Sequence, residues 1–79
     1  MTGGNSQNKV QSVVALVADT LGIPEDQLNI DSSMDDTPAW DSSEHMNICM
    51  AFEQQFGKKL TMDDITSATS IRALVALVA

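Results

Sequence analysis

The sequence is poor in residues that cross-link a chain, since it has one cysteine, Cys49, and one histidine, His45. A single cysteine cannot form an internal disulfide, which favours a reducing compartment. His45 and Cys49 are four residues apart and would share a helix face, but no further His or Cys could complete a zinc site. We therefore expect both side chains in the core and no bound metal.

Basic residues are also scarce. Four Lys and Arg stand against eleven Asp and Glu, a net charge of −7. This balance argues against nucleic acid or an anionic membrane as partner. No Lys or Arg lies between Lys9 and Lys58, and this interval holds Asp19, Glu25, Asp26, Asp31, Asp35, Asp36, Asp41, Glu44 and Glu53. Such a field steers basic protein surfaces toward the segment, although solubility alone is the simpler explanation.

Long apolar runs are missing as well. No stretch approaches the ~20 apolar residues of a membrane-spanning helix. Residues 1–6 have neither the charged nor the apolar region of a signal peptide. We expect a cytoplasmic protein in which residues 1–5 are a flexible start and residues 6–79 form one domain. Apolar residues make up 43% of the 79, enough for a folded but marginal core.

The apolar pattern predicts an all-α fold. One stripe indicates a first helix from about Ser6 or Asn8 to Leu21, ended by Gly22 and Pro24. A long loop follows, roughly residues 22–39. The stripe consists of Val10, Val13, Val14, Val17 and Leu21, and the expected loop anchors are Ile23, Leu28, Ile30 and Met34.

A second helix should run from Ser42 to Phe56 and stop at Gly57. Asp41 is a good N-cap, and Glu44, three residues on, could complete a capping box. Trp40 precedes the cap at the staple position, across from His45. At about 100° per residue, one arc forms the expected core face: His45, Ile48, Cys49, Phe52 and Phe56.

Two methionines fall outside that arc. Met46 and Met50 share the side that carries Ser42, and they suggest an adaptable docking surface. A widened core is the equally open alternative. The candidate docking residues are Ser43, Glu44, Met46, Asn47, Met50, Glu53 and Gln54.

Two shorter helices close the chain. Thr61 and Asp64 read as cap and third residue of a short helix. Thr69 or Ser70 caps a last helix whose core face is Ile71, Leu74, Val75 and Val78. The expected architecture is a small four-helix bundle, with three main helices, one short helix and a long loop between the first two.

Ser42 is the candidate functional residue. It falls at the first position of the second helix, with its hydroxyl near the positive end of the helix dipole. The dipole and the unpaired N–H groups of the first turn favour a phosphate there. The residues alone thus indicate an exposed serine suited to carry a phosphodiester.

Asp-Ser before a Met- and Phe-rich helix, in a small acidic helical chain, resembles the acyl carrier protein family. The resemblance covers Trp40-Asp41-Ser42-x-x-His45-Met46-Asn47 and the run Ala51-Phe52-Glu53-Gln54-Gln55-Phe56-Gly57. It implies that Ser42 receives 4′-phosphopantetheine, whose thiol holds an acyl or aminoacyl cargo as a thioester. The Trp40-Asp41-Ser42-x-x-His45-Met46 motif looks more like that of stand-alone carriers of specialised pathways than that of the housekeeping fatty-acid carrier. Ser43 departs from the family, which mostly has Leu there.

The resemblance also implies a monomer that is not an enzyme. Its implied partners are a phosphopantetheinyl transferase, an acyl- or aminoacyl-activating ligase, and acyltransferase or synthase enzymes with basic docking surfaces. The cargo and the pathway, whether fatty acid, polyketide or another, stay open.

Rival interpretations are weaker. Ser42, His45 and Asp41 could suggest a hydrolase, but they crowd one helical turn and no second wall supplies an oxyanion hole. An EF-hand would begin at Asp31, Ser33 and Asp35, but it lacks the glycine at the sixth position and the bidentate Glu at the twelfth. A helical interaction module with Ser42 unmodified stays as the alternative function.

Overall fold

The computed structural model describes the backbone of residues 5–78 and the side chains from Lys9 onward. The elements are α1 (Asn5–Leu21), a 3₁₀ turn (Glu25–Gln27), α2 (Ser42–Phe56), α3 (Met62–Ser67) and α4 (Ile71–Val78). Over that range the regular elements are helices, which confirms the predicted all-α bundle. α2 has the predicted bounds. α1 begins at Asn5, one residue before the earliest predicted start at Ser6, which is within the residue or two by which helix-end assignments vary. Residues 1–4, which were predicted to be flexible, and Ala79 lie outside the described residues.

α1 packs against both α2 and α4. Val13, Val14 and Val17 are buried as predicted, while Val10 and Leu21 are only partly buried. The buried face is wider than the predicted stripe, since Leu16 and Ala18 are also buried. A helix that contacts two neighbours must bury more than one narrow stripe.

Two glycines end the long helices as the sequence predicts. Gly22 and Gly57 have φ values of 72° and 63°, in the left-handed region that glycine adopts without steric cost. The N–H of Gly22 donates to the carbonyl of Ala18 at 2.8 Å, and the N–H of Gly57 donates to the carbonyl of Glu53. Both stops are therefore hydrogen-bonded C-caps.

The long loop is fastened to the far end of the chain. The N–H of Met34 donates to the carbonyl of Thr69 at 2.9 Å, and the N–H of Ile71 donates to the carbonyl of Ser32 at 3.0 Å. Among the predicted anchors, Leu28 is buried, whereas Ile23, Ile30 and Met34 are partly buried against the core. These contacts fix a loop that has little regular structure of its own.

The last two helices are capped by side chains. At α3, the Thr61 Oγ1 accepts from the Asp64 N–H at 3.1 Å, and Asp64 accepts from the Thr61 N–H at 3.0 Å, the predicted capping box. At α4 it is Ser70 whose hydroxyl accepts, from the Ala73 N–H at 3.1 Å. On the predicted α4 face, Ile71 and Leu74 are buried while Val75 and Val78 sit at the rim of the core.

None of the helices in the described range is long and apolar enough to cross a membrane.

Candidate functional site

The start of α2 is held by its predicted cap. The Oδ1 of Asp41 accepts from the Glu44 N–H at 2.9 Å, and the Asp41 carbonyl accepts from the His45 N–H at 2.8 Å. The second half of the predicted capping box is wrong. Instead of reaching back to Asp41, the Glu44 Oε1 accepts from the Asn47 amide at 3.4 Å, because Asn47 offers a donor one turn along the helix.

Ser42 is the first residue of α2 and is exposed to solvent, as is Ser43. The Asp41 carboxylate engages the N–H of Glu44, whereas the N–H groups of Ser42 and Ser43 are among those that a helix leaves without an intrahelical acceptor. The positive end of the helix dipole lies at the same place. An anionic group on the Ser42 hydroxyl is therefore favoured by this geometry.

Behind this first turn lies a buried aromatic pair. Trp40 is 1% exposed and its Nε1 donates to the His45 Nδ1 at 3.0 Å. The His45 Nε2 lies 2.7 Å from the Ile65 carbonyl oxygen of α3. Since indole N–H can only donate and a carbonyl can only accept, we assign His45 as the neutral tautomer with its proton on Nε2. The sequence predicted the Trp40–His45 contact but not these hydrogen bonds.

This placement removes the hydrolase interpretation. His45 is buried, and both ring nitrogens are bound to groups other than Ser42. A general base must be within hydrogen-bond reach of the hydroxyl that it activates. His45 therefore cannot serve as the base that the hydrolase interpretation assigns to it.

The structure also disfavours the metal interpretations. Asp31, the first ligand of the EF-hand interpretation, forms an ion pair with Arg72 on α4. Within residues 5–78, no group of three or more His, Cys, Asp or Glu side chains could hold a metal ion. Cys49 is 2% exposed, with its Sγ 3.7 Å from the His45 Nε2. Burial raises the pKa of the Cys49 thiol, and the Glu53 carboxylate adds to the rise.

The predicted docking residues do not all behave alike. Met46 and Met50 are 48% and 54% exposed, and Ser43, Asn47 and Gln54 are exposed beside them. We call Ser43, Glu44, Met46, Asn47, Met50 and Gln54 the outer face of α2. Glu44 and Glu53 are both half-buried, but the Glu53 carboxylate accepts from the Leu60 N–H at 2.8 Å and so connects α2 to the segment before α3. Glu53 is therefore left out of the outer face.

A further exposed methionine was missed by the sequence analysis. Met62 is 74% exposed at the first position of α3. Its place immediately after the cap Thr61 could have indicated this exposure, because first-turn residues of a short surface helix have little core to face.

An open groove of about 620 Å³ lies between the start of α1 and the ends of α2 and α4. Because the start of α1 lies beside the ends of the other two helices, α1 runs antiparallel to both. Its lining is Lys9, Phe56, Gly57, Lys58, Lys59, Leu77 and Val78. By the rise of a helix, it is roughly 20 Å from Ser42. The groove therefore does not contact Ser42.

A small helical bundle that presents a capped, exposed serine at the start of a helix, where an anionic group is favoured, has the features of a carrier protein. A family model described as the phosphopantetheine attachment site matches residues 11–78. The chain is similar to an acyl carrier protein of Petrotoga mobilis (strain DSM 10674 / SJ95), with 30% identity over 67 residues that cover 85% of this chain and 79% of that protein. The chain belongs to the acyl carrier protein family.

Membership of this family makes the protein a carrier that takes phosphopantetheine, and not an enzyme. Such carriers need a phosphopantetheinyl transferase and work with biosynthetic enzymes.

Proposed function

We propose that the protein carries an acyl or aminoacyl intermediate on a 4′-phosphopantetheine arm attached to Ser42. The observation that carries this proposal is that Ser42 is exposed at the first position of α2. It follows the N-cap Asp41, whose Oδ1 accepts from the Glu44 N–H at 2.9 Å. A fixed, solvent-facing oxygen is what a transferase needs in order to reach it. Ser43 is exposed as well, but it lies one residue further from the cap.

The residues around Ser42 fit such a group. A phosphodiester on Oγ would lie at the N-terminus of α2, near N–H groups that lack intrahelical acceptors. When bound, the arm supplies a thiol that holds the cargo as a thioester. In the transfer, the Ser42 Oγ forms a bond to the phosphorus next to the pantetheine of coenzyme A. The pyrophosphate P–O bond breaks, adenosine 3′,5′-bisphosphate leaves with the electron pair, and the hydroxyl proton passes to a base of the transferase.

The outer face of α2 is the proposed docking surface for a transferase, an activating ligase and an acyltransferase or synthase. Met46 and Met50 offer adaptable apolar contacts beside Ser42. The carboxylates of Asp41 and Glu44 add negative charge that favours basic partner surfaces. We place this work in the cytoplasm and assign it to a monomer. The candidate cargoes are a fatty acyl group, a polyketide, an aminoacyl group or another small acid.

The test of attachment is incubation with coenzyme A and a broad-specificity phosphopantetheinyl transferase until the mass no longer changes, followed by intact mass measurement. The expected result is a gain of one phosphopantetheine in the wild type and in the control Ser43→Ala. Ser42→Ala should stay unmodified and folded, because Asp41 and not Ser42 forms the cap. If Ser42→Ala gained the same mass, another residue would be the attachment site.

The exposed methionines favour a second candidate, a helical interaction module that works without a prosthetic group. Met46, Met50 and Met62 are each about half exposed or more, which suits apolar contact with a partner protein. A wild-type protein that stays unmodified with several transferases, but still binds a partner through α2, would favour this function.

A further inference from the structure

α3 makes few buried contacts with the rest of the protein. Its six residues, Met62–Ser67, include none that is buried, and its capping box is formed within its own first turn. The hydrogen bond from the His45 Nε2 to the Ile65 carbonyl, at 2.7 Å, fastens its middle to α2. Loss of this bond would leave α3 with partly buried contacts only, such as that of Ile65 with the core.

The same imidazole holds the segment on the other side of Ser42. Trp40 lies two residues before Ser42, and its Nε1 donates to the His45 Nδ1 at 3.0 Å. His45 lies three residues after Ser42, in the first turn of α2. The His45 ring therefore connects three segments: the residues before α2, the first turn of α2, and α3. Ser42 lies in the sequence between Trp40 and His45, the two residues joined by one of these hydrogen bonds.

A histidine at this position needs a physical reason, because it occupies a core arc that is otherwise apolar. Among the residues whose side chains are described, His45 is the one buried polar side chain, with 6% of its surface exposed. A buried polar group is costly unless its hydrogen bonds are made, and a fully satisfied one makes the surrounding structure more rigid and more specific. Here one nitrogen accepts and the other donates, so the bridge has one tautomer and one orientation.

We propose that His45 is a positioning residue for the modification of Ser42. The bridge from Trp40 through His45 to Ile65 fixes the first turn of α2 and keeps α3 beside it. The transferase then meets a Ser42 hydroxyl whose position is already set. This inference rests on the proposed attachment at Ser42. His45 itself is buried and does not touch the transferase or coenzyme A.

The experiment compares initial rates of modification of the whole protein by one transferase, with kcat and KM measured separately at a temperature where circular dichroism shows every variant folded. His45→Phe removes both hydrogen bonds and keeps a ring. Trp40→Phe removes only the donor to Nδ1. His45→Gln keeps one acceptor and one donor and is the conservative variant. Val17→Ala, a core change in α1 away from the bridge, is the matched control for lost stability.

We expect kcat/KM to fall about three- to tenfold in Trp40→Phe, the range for one lost hydrogen bond, and at least as far in His45→Phe, which loses two. His45→Gln should recover part of the loss, and Val17→Ala should modify at the wild-type rate. Amide hydrogen exchange should quicken at the first turn of α2 and in α3 of His45→Phe, with α1 unchanged.

Three outcomes would overturn the inference: unchanged rates in His45→Phe or in Trp40→Phe, an equal loss in Val17→Ala, or a His45→Gln protein as slow as His45→Phe. Failure of the proposed function looks different. It would appear as a wild type that gains no phosphopantetheine, or as a Ser42→Ala variant that still does.

Discussion

The two sides of α2 differ in a way that hydrophobicity alone does not explain. The inner side carries His45, Ile48, Cys49 and Phe52, none more than 6% exposed. The outer side carries Met46 and Met50, which are about half exposed, among polar residues. A polar imidazole is thus buried while two large apolar side chains face solvent.

Position along the helix and hydrogen bonding together explain this difference. Residues at spacings of three and four share the arc that faces α1, so His45 is carried inside with Ile48 and Phe52. Burial of His45 is tolerated because Trp40 and Ile65 supply a partner for each ring nitrogen. Exposed methionine needs no such partner, and its flexible side chain stays available for contact with another protein.

The largest expected effect comes from truncating the inner side. Phe52 is fully buried, so Phe52→Ala should lower the free energy of unfolding by about 3–5 kcal/mol. The matched outer change, Met50→Ala, should stay within about 0.5 kcal/mol of wild type. Urea unfolding of both variants measures the contrast. A similar loss in the two variants would mean that Met50 belongs to the core.

The next largest effect is expected from Asp41, the N-cap residue at the start of α2. Asp41→Ala removes the acceptor for the Glu44 N–H and should cost about 0.5–2 kcal/mol of stability. Modification of Ser42 should slow as well, because the first turn frays. Asp41→Asn, which keeps an accepting oxygen, is the control for lost charge. An unchanged unfolding midpoint with unchanged modification kinetics would contradict the role of this cap.

A smaller effect is expected from Cys49, the buried sulfur of the inner side. Its pKa is raised by burial, then by Glu53, so the folded protein favours the neutral thiol. The stability that this contributes is fully present below the pKa of the unfolded thiol, about 9.0, and is lost as the pH rises through the raised folded value. Urea unfolding from pH 7 to 10 should show wild type losing stability relative to Cys49→Ala. Parallel curves would contradict it.

Changes in salt should leave the fold intact and weaken docking to partner proteins at the outer face of α2. Long-range attraction between the carboxylates of Asp41 and Glu44 and a basic partner is screened beyond about 8 Å at physiological ionic strength. Association rates with a transferase should therefore fall from low to high salt. Measurement by stopped flow, with Glu44→Gln as the variant that weakens the slope, tests this. A flat profile would mean that Met46 and Met50 carry the recognition.

Local features of the fold could be predicted from the sequence because neighbouring residues determine them. The Asp41 cap, the Thr61–Asp64 box and the glycine stop at Gly57 each involve residues at most four positions apart. The core arc of α2 follows from helical spacing for the same reason. The position of Ser42 beside the cap predicts an exposed serine, whereas attachment of phosphopantetheine to it is implied by the family resemblance.

Contacts between distant segments could not be predicted in this way. Arg72 pairs with Asp31 across 41 residues, so the acidic interval is less free of cations in space than in sequence. Glu53 turned out to hold the Leu60 N–H, and His45 to bind Ile65. Each of these contacts depends on where the chain after α2 packs against the earlier segments. Apolar periodicity does not specify that packing.

Ser43→Leu is the change with the smallest expected effect on the fold. Ser43 is exposed on the outer face, about 100° from Ser42 around the helix, on the side of Met50 and Gln54. Stability should therefore stay within about 0.5 kcal/mol of wild type, as for most surface substitutions.

The informative effect of Ser43→Leu is on modification. Related carriers mostly have Leu at this position, so native Ser43 is expected to make the protein a poor substrate for broad-specificity transferases and to suit it to a dedicated one. A leucine buried at the contact could strengthen it by up to ~1.5–3 kcal/mol, and by less if burial is partial. The measurement compares modification rates of wild type and Ser43→Leu with one broad-specificity transferase, with Ser43→Ala as the control for loss of the hydroxyl. Equal rates in all three would show that the transferase does not contact position 43, and the outer face would then begin at Glu44.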